Sequence, residues 1–227
     1  MTERIRKQLD HLRKREYRNA RKHTDMDLSG KLSGMDIMLR NANLMAAMTR
    51  LQEPTFTLDD RIGFHRSHVE YPYVIDWEGN RFSMFHSSGN IVPDFQTTLN
   101  LGMDALIENA RNWRQNSGEE KKSFYDAVIL SAEAALELAD KYREYCKDHG
   151  NRQLYDALCV VPHKGAETFL QACVFVKFLI FTIRCNGNDH IALGRFDQYM
   201  YPYFLADKKQ GMSDDQLLKP LKNSLSP

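Results

Sequence analysis

The chain has 227 residues, 42% apolar and 27% charged, enough for one sizeable globular domain or two small ones with a real core. Its 31 basic and 30 acidic residues leave a formal net charge of +1, so no overall field draws it to nucleic acid or anionic lipid. No apolar stretch of signal-peptide type follows Met1, and Cys146, Cys159, Cys173 and Cys185 form no C-x-x-C pair. The expectation is therefore reduced thiols, no zinc site and a cytoplasmic location.

The first twenty-odd residues read as a helix. Ile5, Leu9 and Leu12 fall at helical spacing among basic residues clustered at Arg4 to Lys7 and Arg13 to Lys22. A basic arm for nucleic acid is the alternative, but no motif of such a domain follows it, and a solvated amphipathic helix is the better reading. Gly30, Ser33 and Gly34 break the pattern. A second helix is expected from Asp36 to Leu51, with Ile37, Leu44, Met48 and Leu51 as its stripe and Pro54 as its stop.

From Phe56 to Pro93 aromatic and β-branched residues alternate with turn residues, the texture of strands and loops. A hairpin is expected at Glu78-Gly79-Asn80. This stretch also contains His65, His68 and Glu70, an H-x-x-H-x-E. A third convergent ligand is missing, so surface or packing histidines are expected there and no metal.

Beyond Pro93 helix dominates. Asp94 is placed to cap a helix running to about Gln115, with Phe95, Leu99, Leu106 and Trp113 among its apolar positions. A long helix from about Glu119 to His149 presents Phe124, Val128, Ala135, Leu138 and Tyr142 on one face, and Gly150 ends it. A short helix over 152–160 stops before Pro162, and an apolar helix follows from Glu167 to Cys185. That segment is too short for a bilayer and carries Gln171 and Lys177, so a core helix is expected and no membrane span. It is apolar nearly all round and must be covered on every side, which hints at a larger body than this chain. Ser213 then caps a last helix that Lys219-Pro220 is expected to interrupt, leaving Lys222 to Pro227 as a tail.

Between these last two helices lies Gly194-Arg195-Phe196-Asp197-Gln198-Tyr199-Met200-Tyr201-Pro202-Tyr203. An Arg and an Asp two apart among aromatic rings are costly to bury unless hydrogen-bonded. Such a block more often pins backbone turns against a core than performs chemistry.

The same run resembles the signature stretch of glycyl radical enzymes of the pyruvate formate-lyase type. Four upstream blocks in the same order support it: Val92-Pro93-Asp94-Phe95 followed by Leu99-Asn100 and Gly102; Phe124-Tyr125-Asp126-Ala127; Cys159 through Pro162; and Glu167-Thr168-Phe169-Leu170-Gln171, which departs from the family at its middle two residues. The resemblance covers a little over half the chain, and residues 1–80 match only loosely.

It implies a mixed α/β, helix-rich fold: part of a ten-stranded α/β barrel inside a coat of helices. Residues 1–55 would form leading helices and 56–227 the first, incomplete portion of the barrel domain. It also implies that Gly194, Arg195, Asp197, Gln198 and Tyr199 are structural signature residues. Asn90 would stand where members point a residue at a small-molecule substrate, as Arg in pyruvate formate-lyase or His in diol-type dehydratases. Asn suggests a neutral, hydroxylated or amine substrate; a shifted alignment brings His86 to that place, and a plain turn asparagine is the alternative.

The family's activity depends on a backbone glycyl radical, installed by an activating enzyme that uses S-adenosylmethionine and an iron–sulfur cluster, and on a catalytic cysteine. No cofactor is expected to bind this chain directly. Its cysteines precede the signature block and no R-V-x-G motif is present, so no catalytic residue is expected here. The expectation is therefore the N-terminal segment of a lyase, dehydratase or acyltransferase, truncated, frameshifted or split. A homodimer partner, a C-terminal half, or a non-catalytic helical binding role on the same scaffold are the associated expectations.

Overall fold

Three short strands and eight helices are formed by the described residues, which in this computed structural model are 25–55, 62–65, 69–83, 90–188 and 190–224, together with Arg6, Asp10 and Arg13. In chain order they are β1 (Asp25–Asp27), α1 (Ile37–Leu51), β2 (Tyr73–Ile75), β3 (Arg81–Ser83), α2 (Phe95–Leu101), α3 (Met103–Gln115), α4 (Glu119–Asp148), α5 (Arg152–Leu158), α6 (Phe169–Cys185), α7 (Phe196–Lys209) and α8 (Asp214–Ser224). Arg6, Asp10 and Arg13 are helical and exposed; Ile5, Leu9 and Leu12 lie outside the described residues.

Side-chain caps set most of the helix starts. Asp36 accepts from the Met38 amide, Asp94 from Thr97, and Asn151 from Leu154. Thr168 and Gln171 form a reciprocal capping box, and Ser213 and Gln216 repeat it, with Gln216 N donating to Ser213 Oγ and Ser213 N to Gln216 Oε1. Gly150, at φ +74°, takes the left-handed position just past α4.

The expected hairpin is present: β2 and β3 pair antiparallel in the register Tyr73 to Ser83, and Asp76 Oδ1 accepts from both Glu78 N and Asn80 N across the turn. β1 was not anticipated. It pairs parallel with β2, Met26 opposite Val74, and with Leu28 it packs on Leu44 and Met48 of α1.

The core centres on α6. Eleven of its 17 residues are buried, and α1, α2, α5, α7 and α8 all pack on it. α4 adds Tyr142, whose ring meets Phe181 edge-on at 5.9 Å. Phe64 fills the gap between these two helices, 4.5 Å from Tyr142 and 5.3 Å from Phe178, and does so at φ +60°, a conformation side chains adopt at a cost. α6 is buried by its own neighbours, which approach from several directions and not from one layer, so the larger body that its apolar surface hints at is not needed to cover it.

Three expectations are corrected. The helix from Asp94 to Gln115 is two helices, broken at Gly102 with φ +78°. A Cβ there would lie 2.4 Å from His163 O, and at Gly165 one would lie 2.2 Å from Asn100 O. The 160–166 turn therefore docks backbone to backbone: Met103 N donates to Pro162 O, Asp104 N to His163 O and Ala166 N to Leu99 O. The His163 ring then bridges Asp104 on α3, at 3.0 Å, and Asp140 on α4, at 3.2 Å.

The face expected along α4 is buried only at Ala135, Leu138 and Tyr142; Phe124 and Val128 are exposed, as is Trp113 of α3. α3 flanks the N-terminal half of α4 through Asp126 and Tyr125, but leaves the Phe124 and Val128 face open, which the helical period cannot reveal. Finally, α8 continues through position 220 to Ser224, where Pro220 was expected to stop it. Leu217, 2% exposed, docks the helix on the core and offsets the lost hydrogen bond.

Gly102→Ala is expected to cost about 3 kcal/mol or more, the sum of left-handed strain and overpacking, seen as a lower urea midpoint with unchanged slope. A second test concerns Arg50, whose Nε and Nη2 reach the two Glu137 carboxylate oxygens at 2.6 and 2.8 Å. The Arg50 hydrogen bond outweighs partial desolvation and holds the Glu137 carboxyl below its ordinary range. A lowered folded value means stabilisation above the ordinary carboxylate range and its loss as pH falls through the lowered one. Because both side chains are substantially exposed, Glu137→Gln is expected to cost only ~0.5 kcal/mol at neutral pH. In urea titrations the difference should vanish in acid.

Candidate functional site

The residues singled out in the sequence gather where the segments before α2 and before α7 run side by side. Ile91 and Ile191 form an isolated parallel bridge, with Ile91 N donating to His190 O at 3.1 Å and Ala192 N to Ile91 O at 2.9 Å. Parallel pairing between segments a hundred residues apart needs a helical crossover, and α2 to α6 provide one. Asn90, Ile91 and Val92 are exposed beside this bridge, as is Leu193. Asn90 is thus next to the bridge. His86 lies outside the described residues.

Gly194 turns the chain at φ +61°, so close to Val92 that a Cβ would sit 2.9 Å from its side chain. α7 follows, and the signature block divides into two groups. Tyr199 points inward: its hydroxyl donates to Leu193 O at 2.9 Å, its ring stacks on Phe95 at 5.4 Å, and partial burial pushes its phenol up to about 12. Tyr203 is buried and donates to Asn100 Oδ1 at 2.9 Å, tying α7 to α2.

Arg195 and Asp197 face outward. They hydrogen-bond each other at 3.2 and 3.3 Å while 69% and 71% exposed. The Arg195 guanidinium holds the Asp197 carboxyl below its usual range, and Asp197 lies in the first turn of α7. Gln198 is exposed too. The hydrogen bonds that burial of an Arg and an Asp would require are made, but solvent reaches both side chains.

Sequence reasoning missed Asp207. It is 4% exposed, and its carboxylate accepts from Phe169 N at 2.9 Å, so α7 caps the start of α6 from 38 residues downstream. The only available signal was an aspartate amid Leu205 and Ala206 in a helix otherwise read as a turn-rich block.

The cysteines offer no reactive thiol at this site. Cys173 and Cys185 are buried in α6, where desolvation raises both thiols, Cys173 to about 12. Cys146 is buried in α4, and Cys159 is exposed. Among the described residues no group of His, Cys, Asp and Glu is placed to hold a metal ion. His68 of the H-x-x-H-x-E lies outside them, while Glu70 is held through its backbone by Gln52. No helix of the described residues is long and apolar enough to cross a membrane. Under native conditions iodoacetamide is expected to label Cys159 alone, and Cys146, Cys173 and Cys185 only after denaturation, as mass spectrometry of the digest would show.

Residues 75–224 match the family described as Pyruvate formate lyase-like. The (2S)-3-sulfopropanediol dehydratase of Klebsiella oxytoca is 26% identical over 147 residues, which is 56% of this chain and 18% of that protein. Two solved structures share the fold. One, concerned with 1,2-propanediol dehydration in Roseburia inulinivorans, superposes with a TM-score of 0.75 at 15% identity, covering 100% of this chain and 37% of its own. The other, the glycerol-bound B12-independent glycerol dehydratase from Clostridium butyricum, gives 0.73 at 16% identity, with 98% and 39% covered. This chain spans about a fifth of the curated relatives it matches. The chain has part of the glycyl radical enzyme barrel fold, and it belongs to the pyruvate formate lyase-like family.

Proposed function

We propose that this chain supplies the leading helices and the first two barrel segments of a glycyl radical dehydratase or lyase acting on a small neutral molecule with a hydroxyl or amine group. The observation that carries this is the Ile91–Ile191 bridge, formed within the matched residues and flanked by exposed Val92 and Leu193. A barrel needs further strands along these edges, and the chain's share of its relatives' length leaves room for them in other polypeptide. A glycyl radical, installed by a separate activating enzyme, would take the hydrogen atom of a cysteine thiol in that further polypeptide, and the resulting thiyl radical would abstract hydrogen from the substrate.

This chain's own contribution is positional. Asn90, next to the bridge, offers an amide donor and acceptor suited to a hydroxyl or an amine, and carries no charge for a carboxylate. Tyr199, Tyr203 and Asp207 hold α7 against α2 and α6, so the bridge is fixed from behind. The helical coat excludes water from reactive intermediates. The activating enzyme, a homodimer partner and a cytoplasmic setting belong to the same proposal.

The test combines this chain, anaerobically, with a polypeptide carrying a cysteine loop and an R-V-x-G glycine motif, and with an activating enzyme. The expected outcome is a complex on size-exclusion chromatography that acquires a glycyl radical by electron paramagnetic resonance. In that complex Asn90→Ala should keep the radical while lowering kcat/KM by about 10- to 100-fold, the scale of a lost orienting contact. Failure to form a complex would overturn the barrel role. An unchanged kcat/KM in Asn90→Ala would overturn only the role of Asn90.

A second reading has one observation in its favour. α6 is covered within this chain, so the helices can form a body of their own and serve as a non-catalytic binding module on the same scaffold. A monomer with a cooperative melting transition, indifferent to the added polypeptide, would support it.

A further inference from the structure

Arg50 of α1 meets Glu137 of α4, and Met38 of α1 shares a groove with Phe124 of α4, so the two helices run in the same direction. Toward their N-terminal ends they part and leave that groove open, with a volume of about 460 Å³. Met38 and Met45 stand on one side of it and Phe124 and Val128 on the other, each 39–48% exposed. Further along α4, Ser131, Ala132 and Ala135 line the same groove and are small. Large residues thus precede small ones along one helix by about two turns. A surface of this kind complements itself when two copies meet antiparallel, because the large end of each faces the small end of the other.

With Met35 and Ile37 at the same end of α1, six large apolar residues here are 39–50% exposed. They amount to ~500 Å² of apolar surface per copy, the size of patch that marks an interaction site. A standard protein contact takes ~800 Å² from each partner, a little over half of it apolar, so the patch matches one side of such a contact. Charge does not oppose an identical partner: Glu119 and Glu120 stand beside Lys121 and Lys122 at the start of α4, and Asp36 lies one turn before Arg40 on α1. We propose that the groove seats α4 of a second copy of this chain, antiparallel across a two-fold axis beside Val128. Each copy then lays its Phe124 over Ser131, Ala132 and Ala135 of the other, and Met38 and Met45 of both adapt to close the sides. The contact is made by α1 and α4 alone and stands whether or not the segments at Ile91 and Ile191 belong to a barrel.

Sedimentation equilibrium of the full chain tests this. A reversible dimer is expected, with a dissociation constant of about 10 μM or tighter. Val128→Asp should weaken it at least about 10-fold, whereas Val92→Asp, beside the bridge, should leave it unchanged. A monomer at every concentration would overturn the proposal and leave the groove to some other occupant. A dimer that Val92→Asp weakens and Val128→Asp does not would overturn it too, by moving the contact to the bridge. A second readout does not depend on how well the aspartate variant folds. With exposed Cys159 replaced by Ser, Val128→Cys should form a disulfide between the two copies on mild oxidation, since a residue beside a two-fold axis meets itself. Mass spectrometry of the digest should find position 128 joined to position 128. Glu108→Cys, exposed on α3, should give no such product at the same protein concentration. Equal yields from the two cysteine variants, or none from Val128→Cys, would count against the proposed contact.

Discussion

A helix with no polar face dictates the arrangement of this molecule. From Phe169 to Cys185 only Gln171, Lys177, Thr182 and Arg184 are polar, and water must be kept from almost every side. Two packed layers could cover one stripe and leave the rest wet. The chain instead wraps α6 with helices before and after it in sequence, and fills the remaining space with the Phe64 ring. Polar groups at its start are satisfied by Thr168, by Gln171 and by Asp207, which arrives from α7. The buried helix thus recruits a carboxylate from a distant segment, and this sets where α7 lies.

That recruitment links the core to the paired segments. α7 begins immediately after the turn at Gly194, and its inward tyrosines grip Leu193 and Asn100. The bridge between Ile91 and Ile191 is short, and two hydrogen bonds alone would not hold it. Its geometry is supplied by the helices that follow each segment, α2 after Ile91 and α7 after Ile191, both anchored on α6. The outward half of the signature block, Arg195 and Asp197, contributes a solvated pair at the edge of this support.

Much of this was legible in the sequence where the controlling interactions are local. The caps at Asp94 and Ser213 and the turn at Gly79 each act within four residues, and each appears where it was expected. The family resemblance, carried by short blocks in fixed order, also held over residues 75–224. What failed was decided at a distance. β1 is a three-residue Asp-Met-Asp that only its pairing to β2 makes a strand. Gly102 interrupts a run of good helix formers because the 160–166 turn needs its place. Phe124 and Val128 have the right period for burial, but period says nothing about how far along a 30-residue helix that face is covered. For Arg195 and Asp197, the sequence set the cost of burying them but not their exposure, which depends on where α7 lies. Of this region, the run from Gly194 to Tyr203 was legible, whereas Asp207 and the Asn100 partner of Tyr203 could not be found, since those contacts span 38 and 103 residues.

The junction between the α2–α3 break and the 160–166 turn is written almost wholly in main-chain atoms. Three amide-to-carbonyl bonds cross it, and two bare α-carbons let the strands of chain touch. Such a joint asks nothing of most side chains around it beyond two absences. A scaffold assembled on joints of this kind can exchange nearly all of its surface chemistry while its path through space stays put.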